Sequence, residues 1–281
     1  MIEVSNLAFS YKKKKLLFNN LNLQLSKGRI HGLLGKNGSG KTTMLKLISG
    51  LLFPKDGIIK TFGYEPRQRK PSMLQEIFFL YEEFSIPDFK IQKFVDVYSG
   101  FYPKFNREQF NSYLSEFEIL DNLKINTLSY GQKKKVLIAF GVACNTRLLI
   151  LDEPTNGLDI PSKSQFRKIM AGIMDENRCI IISTHQVRDL DNLIDSITIL
   201  DEQNIILSQP IENITEKLCF KFLNENSSTD SVLYSEDSLK GKFGVFENNK
   251  NEESKLDIEL LFKATFANKN KVQQIFNNQK S

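Results

Sequence analysis

The sequence predicts a mixed α/β fold whose central sheet is interrupted by a helical insertion. Short apolar runs of strand length recur along the chain, for example at residues 30–34 and 148–151. A glycine-rich segment at residues 35–40 lies directly between one of these runs and a helical pattern. From residue 88 to residue 144 the apolar side chains fall at spacings of three and four, which is typical of helices.

The composition is that of an ordinary globular protein. The 281 residues are 41% hydrophobic and 25% charged, which suits one large domain with or without a smaller appendage. The formal net charge of +5 is mild, and we expect no nucleic-acid partner. The three cysteines, Cys144, Cys179 and Cys219, are isolated, which favours reduced thiols over a disulfide framework or a metal site.

No segment has the apolar length of a transmembrane helix. The longest apolar runs, at residues 136–144 and 148–151, fall far short of the roughly 18 to 20 residues that span a bilayer. Met1 leads directly into an alternating pattern that is typical of a strand rather than of a signal peptide. We therefore expect that the chain does not cross a membrane on its own.

The N-terminal elements follow from alternation and turn chemistry. Residues 2–9 and 16–25 alternate loosely and predict a hairpin. The lysines at residues 12–15 form its turn, where a solvated tip is favoured over a specific phosphate or lipid-headgroup role. A buried strand at residues 30–34 and a helix at residues 41–49 come next.

The remaining elements divide the chain into two parts. Further strands are predicted at residues 57–62, 77–81, 148–151, 179–183, 196–200 and 205–207. A helix is predicted at residues 161–174. Residues 1–210 therefore form the main domain, with a helical insertion at about residues 84–144. Residues 211–281 form a small appendage with polar loops at 224–230 and 247–254, short strands at 231–234 and 244–246, and a terminal helix at 258–266.

The glycine-rich segment fits the phosphate-binding loop G-x-x-x-x-G-K-[ST]. Its residues are Gly35, Lys36, Asn37, Gly38, Ser39, Gly40, Lys41 and Thr42. The strand before it and the helix after it are the context that this motif requires. Backbone N–H groups of such a loop wrap the β-phosphate, while Lys41 would lie between the β- and γ-phosphates and Thr42 would bind Mg²⁺. Thr43 is expected at the α-phosphate. The alternative, a glycine-rich turn that binds nothing, leaves this context unexplained.

Two carboxylates follow the apolar run at residues 148–151. In a phosphate-loop ATPase the carboxylate at the end of such a strand holds Mg²⁺ through water, which suits Asp152. Glu153 would then lie beside the γ-phosphate and polarise the attacking water as a general base. Alone, the segment also fits a buried strand that ends in a solvated turn at Pro154. In a chain that also contains a phosphate loop, this segment indicates nucleotide hydrolysis.

Four further segments resemble the motifs of ATP-binding cassette (ABC) proteins, in the family's order. Residues 128–132, Leu-Ser-Tyr-Gly-Gln, resemble the signature sequence. Residues 156–159, ending in Asp159, resemble the D-loop, and His185 resembles the switch histidine. Tyr11 resembles the aromatic residue that stacks on adenine. The resemblance covers about residues 1–210.

The resemblance implies an architecture, an activity and partners. It implies a P-loop NTPase of RecA-like core with an antiparallel β subdomain and a helical subdomain. It also implies an ATPase that uses Mg²⁺ and that dimerises head to tail around ATP, as a homodimer or with a paired cassette. The implied membrane partners are separate permease subunits, so that the chain would be cytoplasmic and peripheral on the inner face of the cell membrane. In this arrangement His185 bridges the γ-phosphate and the opposing D-loop.

The signature segment is expected to complete the site of a second cassette. Ser129 and the N–H of Gly131, with Gln132 beside them, would form an anion site at a helix N-terminus. Taken alone, Ser129 would be interpreted as a helix cap. The lysines that follow, Lys133, Lys134 and Lys135, are expected to face solvent, apart from whichever faces the nucleotide across the dimer.

Two positions depart from the family pattern. Tyr130 stands where the signature usually has glycine, and we expect the bulk to be tolerated. Glu82 stands in the place of the Q-loop glutamine after the strand at residues 77–81. Its carboxylate can still bind Mg²⁺ through oxygen. Gln75 is the alternative, although it lies before that strand.

Three functions remain to be compared. The favoured one is the ATPase subunit of a membrane transporter, because the short helical region, the single cassette and the chain's ending look similar to bacterial exporter ATPases. The second is a soluble ABC ATPase, such as an iron–sulfur cluster assembly subunit or a translation factor, although translation factors carry two cassettes. The third is a small-molecule kinase, which would leave the signature and His185 unexplained.

Overall fold

The backbone of the computed structural model is described at residues 1–12, 15–223, 232–239 and 241–277. Lys13 and Lys14, in the middle of the predicted basic turn, lie outside these residues. The polar loop predicted at residues 224–230 and the first residue of the strand predicted at 231–234 also lie outside them.

A six-stranded sheet lies at the centre of the fold. Its spatial order is β5-β6-β7-β3-β8-β9, with parallel pairing throughout except for the antiparallel edge strand β9. The strands are β3 (Arg29–Gly35), β5 (Ile77–Leu80), β6 (Leu148–Asp152), β7 (Cys179–Thr184), β8 (Ser196–Asp201) and β9 (Asn204–Pro210). Since the carboxyl ends of parallel strands share one edge of a sheet, β3, β6 and β7 deliver their last residues to the same place.

The central strands are apolar because both of their faces are covered. Along β6, Leu149 and Leu151 pack into the core on one face, whereas Leu148 and Ile150 pack into a second core on the other. Such continuous apolar runs are typical of parallel sheets that are covered on both sides. Helix α1 (Lys41–Ile48) follows β3, helix α6 (Ile160–Gly172) connects β6 to β7, and the short helix α2 (Pro71–Leu74) precedes β5.

An antiparallel sheet covers one side of the molecule. It consists of β1 (Ile2–Phe9), β2 (Phe18–Leu25) and β4 (Asp56–Thr61), in the order β2-β1-β4. The pairing of β1 with β2 forms the hairpin that alternation predicts. Its inward residues, Phe18 among them, pack into the second core together with α1.

The helical insertion contains α3 (Ile91–Tyr98), α4 (Arg107–Glu116) and α5 (Tyr130–Ala143). Helix starts seven residues after the predicted boundary at residue 84, because the Pro87 region is an irregular loop. Seven aromatic side chains are too many for one small helical subdomain to bury, so the sequence predicts that some of them are exposed: Phe84, Phe89, Phe94, Tyr98, Phe101, Tyr102 and Phe105. Phe94 is fully buried and packs against Phe140. Phe101 is 64% exposed, and the other five are partly buried against the core.

The C-terminal part contains more regular structure than the sequence indicates. Its elements are α7 (Ile211–Lys217), β10 (Leu218–Phe222), β11 (Val232–Ser238), β12 (Gly241–Glu247), α8 (Ile258–Ala267) and α9 (Lys269–Asn277). The three strands form an antiparallel sheet in the order β10-β12-β11. The sequence predicts β11, β12 and α8, but it misses α7, β10 and α9.

Among the residues that the structure describes, no helix is both long enough and apolar enough to cross a bilayer.

Candidate nucleotide-binding site

The predicted phosphate loop connects β3 to α1 at the carboxyl edge of the central sheet. Gly38 and Gly40 have φ angles of 80° and 104°, a conformation that strongly favours glycine. Gly35 is required for another reason: a Cβ there would lie 2.6 Å from the carbonyl oxygen of Leu200. Glycine at these three positions lets the main chain turn tightly just before α1 begins.

Lys41 is held within the loop. Its Nζ donates hydrogen bonds to the carbonyl oxygens of Gly35 at 2.8 Å and Lys36 at 3.3 Å. Burial lowers the pKa of this amine, and the carboxylates of Glu153, Asp152 and Glu82 act against that shift. Lys41 thus supplies the buried cation that a phosphate needs, whereas the nearby carboxylates suit the Mg²⁺ that accompanies a nucleotide.

Ser39 provides an observation that itself points to an anion. Its Oγ is buried and has no hydrogen-bond partner among the described residues. Buried hydroxyl groups without partners are uncommon in folded proteins. A phosphate oxygen would satisfy this group, so the loop fits the β-phosphate of a nucleotide.

Thr42 and Asp152 are brought together across the sheet edge. Thr42 Oγ1 donates to Asp152 Oδ2 at 2.7 Å, and the Ser183 hydroxyl donates to the other carboxylate oxygen. A hydroxyl and a carboxylate are the hard oxygen donors that Mg²⁺ prefers. No group of three or more His, Cys, Asp or Glu side chains in the described ranges could hold a metal ion alone. The donors present therefore fit an Mg²⁺ that shares its coordination with phosphate oxygens and water.

Glu153 is buried beside these groups and is hydrogen-bonded at both carboxylate oxygens. Thr184 Oγ1 donates to Oε2 at 3.0 Å, and the backbone N–H of His185 donates to Oε1 at 2.9 Å. The ring Nδ1 of His185 lies 2.7 Å from the same Oε1. Glu153 also has a φ of 47°, a left-handed conformation that is uncommon for a residue with a side chain.

Tyr11 lines the site and is 44% exposed. Its hydroxyl shares a hydrogen bond of 2.9 Å with Thr43 Oγ1. The ring of Phe9 meets it edge-on at a centroid distance of 5.0 Å. These contacts fix an exposed aromatic face next to the phosphate loop, as stacking on a base requires.

A surface cavity of about 730 Å³ joins these groups. Its lining residues come from the hairpin, the phosphate loop and the sheet edge: Tyr11, Lys15, Leu16, Leu17, Asn37, Gly38, Gly40, Lys41, Thr42, Thr43, Glu82, Glu153 and His185. Among the described residues that line it, none comes from the signature segment at residues 128–132 or from Asp159.

The signature segment forms the N-terminus of α5. Ser129 caps the helix: its Oγ accepts from the Gln132 N–H at 3.2 Å, while the Gln132 side chain accepts from the Ser129 N–H at 2.9 Å. A Cβ on Gly131 would lie 2.7 Å from the carbonyl oxygen of Gly157. Glycine is therefore needed here for close packing of the signature against the D-loop.

Asp159 caps α6 at the end of the D-loop. Its carboxylate accepts from the Ser162 N–H at 2.9 Å. Hydrogen bonds from Ser162 lower the pKa of this exposed carboxyl.

Glu82 lies between the cavity and the signature. Its Oε1 accepts from Asn156 Nδ2 at 2.9 Å, and its backbone carbonyl accepts from the Tyr130 hydroxyl at 2.7 Å. The Tyr130 ring stacks on Phe84, with 5.1 Å between centroids. Tyr130 is thus accommodated by contacts specific to its ring and hydroxyl. Gln75, the alternative to Glu82, is exposed at the end of α2 and is not among the residues that line the cavity.

The expectation that Lys134 faces solvent is wrong. Its side chain is fully buried, and its Nζ donates at 2.9 Å to the carbonyl oxygens of both Glu153 and Asn156. Burial lowers its pKa to about 8, against the opposing effect of Glu82 above all. Helical spacing offered no signal, because Lys133, Lys134 and Lys135 each stand four residues before a buried residue, namely Leu137, Ile138 and Ala139.

Comparison with known proteins identifies the family. The sequence model of the family described as ABC transporter matches residues 18–156. The ABC transporter ATP-binding protein YtrB of Bacillus subtilis (strain 168) is 30% identical over 219 residues, which are 77% of this chain and 74% of YtrB. The lantibiotic transport ATP-binding protein SrtF of Streptococcus pyogenes is 32% identical over 227 residues, 77% of this chain and 95% of SrtF.

The solved structures agree on the fold. A dimeric bacterial ABC transporter cassette superposes with a TM-score of 0.66 at 22% identity, covering 75% of this chain and 99% of the cassette. The P-loop NTPase fold of an ABC ATPase, predicted from the motifs, is confirmed.

Proposed function

The chain belongs to the ATP-binding proteins of ABC transporters and is an ATPase, and from this premise we propose that two cassettes close around ATP to drive separate membrane-spanning subunits. Residues 1–210 serve as the ATP-binding domain in this proposal, and residues 211–281 are an appendage to it.

One observation carries the proposal. The cavity contains the phosphate loop, Tyr11, Glu153 and His185, but Ser129 and Gly131 do not line it. The N-terminus of α5 carries a partial positive charge and free N–H groups that suit an anion. A second cassette, placed head to tail, would supply its own signature to this cavity. The solved cassette that shares this fold is dimeric, which supports the pairing of two cassettes.

Different residues of the cavity would contact different parts of each bound ATP. The Tyr11 ring stacks on adenine, the phosphate-loop N–H groups hold the β-phosphate, and Lys41 neutralises the γ-phosphate. Thr42, Asp152 and Glu82 would hold Mg²⁺, which offsets phosphate charge when bound.

Glu153 polarises the attacking water in this proposal. The hydrogen bonds from Thr184 and His185 fix the direction of its carboxylate, which a general base requires. From the same place His185 would reach the γ-phosphate and the D-loop of the opposing cassette.

The permease subunits would dock on the helical insertion. Val97 on α3 and Phe101 just after it are both exposed, at 41% and 64%. The two residues are four positions apart in the sequence, and clustered exposed apolar side chains often mark an interface. We propose that they contact a helix of the membrane-spanning partner.

A membrane pull-down tests this partner. The tagged chain should recover a protein with several apolar spans from detergent-solubilised membranes. A variant that carries Val97→Ser and Phe101→Ser should lose that protein, since both contacts become polar, and should keep the ATPase rate of the purified chain. A chain that stays wholly soluble in cells and copurifies with iron–sulfur assembly or ribosomal proteins would support the soluble ATPase instead.

Export is the direction that we propose. The short helical insertion and the single cassette support it, although the relatives also include a methionine import ATP-binding protein. Inverted membrane vesicles that contain the complex should accumulate substrate when ATP is added outside. Accumulation only in right-side-out vesicles with ATP inside would contradict export.

A further inference from the structure

Lys134 is a buried cation that belongs to none of the family motifs discussed above. It stands in the first turns of α5 and has no exposed surface. Its ammonium lies 5.2 Å from the centre of the Tyr130 ring. Burying a lysine costs free energy unless its charge is balanced and its N–H groups are bonded. The groups that bond to Lys134 and balance its charge therefore indicate its role.

The two carbonyl groups that Lys134 contacts lie at the two ends of a four-residue turn that begins with the proposed base. One belongs to Glu153 and the other to Asn156, each at 2.9 Å from Nζ. Glu153 has a left-handed backbone with a φ of 47°. Such a conformation persists only where the surroundings hold it. The two hydrogen bonds from Lys134 help to hold this backbone conformation.

The charge of Lys134 is balanced by acidic groups of the same site. Glu82, Glu153 and Asp152 all favour its charged form, with Glu82 contributing most. Glu82 also reaches Asn156, the second residue that Lys134 holds, through a hydrogen bond of 2.9 Å. The lysine, the amide and the carboxylate therefore form one connected group behind the cavity.

We propose that Lys134 is a positioning residue for ATP hydrolysis. Its ammonium holds the main chain on both sides of the Glu153–Asn156 turn and offsets the charge of Glu82. This inference rests on the proposed role of Glu153 as the base. It explains why an acidic residue is tolerated at position 82, because the charges of Glu82 and the buried Lys134 attract each other.

If Lys134 only stabilised α5, the expected effects of its substitution would be different. Its removal would lower the melting temperature, and the effect on turnover would not depend on the residue at position 82. A positioning lysine acts on turnover in two ways, by holding the two carbonyl groups and by balancing the charge of Glu82, so the substitutions at positions 134 and 82 are coupled in part. The distinction is therefore measurable in the rate as well as in stability.

The test is a double-mutant cycle on the full chain. Lys134→Met keeps most of the volume and removes the charge and both donors. We expect kcat to fall by about 30-fold while KM stays within about threefold, because misplacing a catalytic group affects turnover more than ground-state binding. With Glu82→Gln already present, the loss caused by Lys134→Met should shrink to about threefold, since no carboxylate is then left unbalanced. Lys93→Met, on the exposed side of α3, controls for loss of a lysine.

Two results would overturn the inference. One is a kcat for Lys134→Met within twofold of the unmodified chain, and the other is an equal loss in both backgrounds. Melting temperatures are recorded for each variant, and Lys134→Gln replaces Lys134→Met in the cycle if the latter does not fold. Glu153→Gln is measured in parallel. If Glu153→Gln keeps full turnover, the proposed base is wrong, whereas loss of turnover there with no coupling at Lys134 refutes the present inference alone.

Discussion

Individual side chains in the cavity are fixed by short polar contacts to their neighbours. The Glu153 carboxylate accepts from Thr184 and His185, and the Asp152 carboxylate accepts from Thr42 and Ser183. Each acceptor is thereby oriented before any ligand arrives, which lowers the cost of reaching the reactive arrangement. The two adjacent carboxylates have different neighbours, so we assign them different roles.

The first prediction separates nucleotide binding from hydrolysis. Lys41→Ala should abolish tight ATP binding, because the phosphates lose their buried cation. Glu153→Gln should bind ATP normally and lower turnover by about 10² to 10⁴-fold, the usual contribution of a positioned general base. Fluorescent-nucleotide binding and phosphate release measure the two steps separately. Normal turnover by Glu153→Gln would show that another group is the base.

The second prediction concerns Glu82 as an Mg²⁺ ligand. Glu82→Ala should raise the Mg²⁺ concentration required for half-maximal turnover, because an oxygen ligand is lost. Glu82→Gln should shift that concentration only modestly, since an oxygen remains. Glu83→Ala is the matched control, because Glu83 is the exposed neighbour. An Mg²⁺ titration of Glu82→Ala that matches the unmodified chain would place the metal ligand elsewhere.

The elements that position the site are those that local sequence patterns encode. The phosphate loop, α1 and the strands β3, β6 and β7 were predictable because apolar runs and glycine spacing are local properties. Helix α9 was not, since its sequence is polar apart from Val272, Ile275 and Phe276, which gain their meaning only by packing against the core. The burial of Lys134 likewise depends on carbonyl groups contributed by a distant strand end.

The third prediction concerns the packing of α5 against the D-loop. Gly131→Ala adds a Cβ that would lie 2.7 Å from the Gly157 carbonyl oxygen, and such overpacking costs about 1–3 kcal/mol. We expect a lower melting temperature and reduced turnover, with ATP binding to the single chain unchanged. Gly172→Ala is the matched control, because a Cβ there meets nothing within 4 Å. Equal behaviour of the two variants would contradict this view of the contact.

In the proposed dimer, the molecule as a whole presents half of a catalytic site on each of two surfaces. One surface carries the cavity with its phosphate loop, and the other carries the N-terminus of α5 with Ser129 at its cap. In two copies related by a twofold axis, the cavity of each copy would face the α5 N-terminus of the other, which gives two complete sites. Turnover would then require two chains, whereas nucleotide binding requires one.

Mixing two inactive variants tests this central claim most directly. Ser129→Arg should bind ATP but fail to turn it over, because the added charge and bulk oppose closure on the partner's nucleotide. Lys41→Ala should fail for lack of bound ATP. In an equal mixture, each mixed dimer has one site with an intact Lys41 and an intact Ser129, so turnover should recover to about a quarter of the unmodified rate if dimers form at random. Full turnover by Ser129→Arg alone would contradict the shared site.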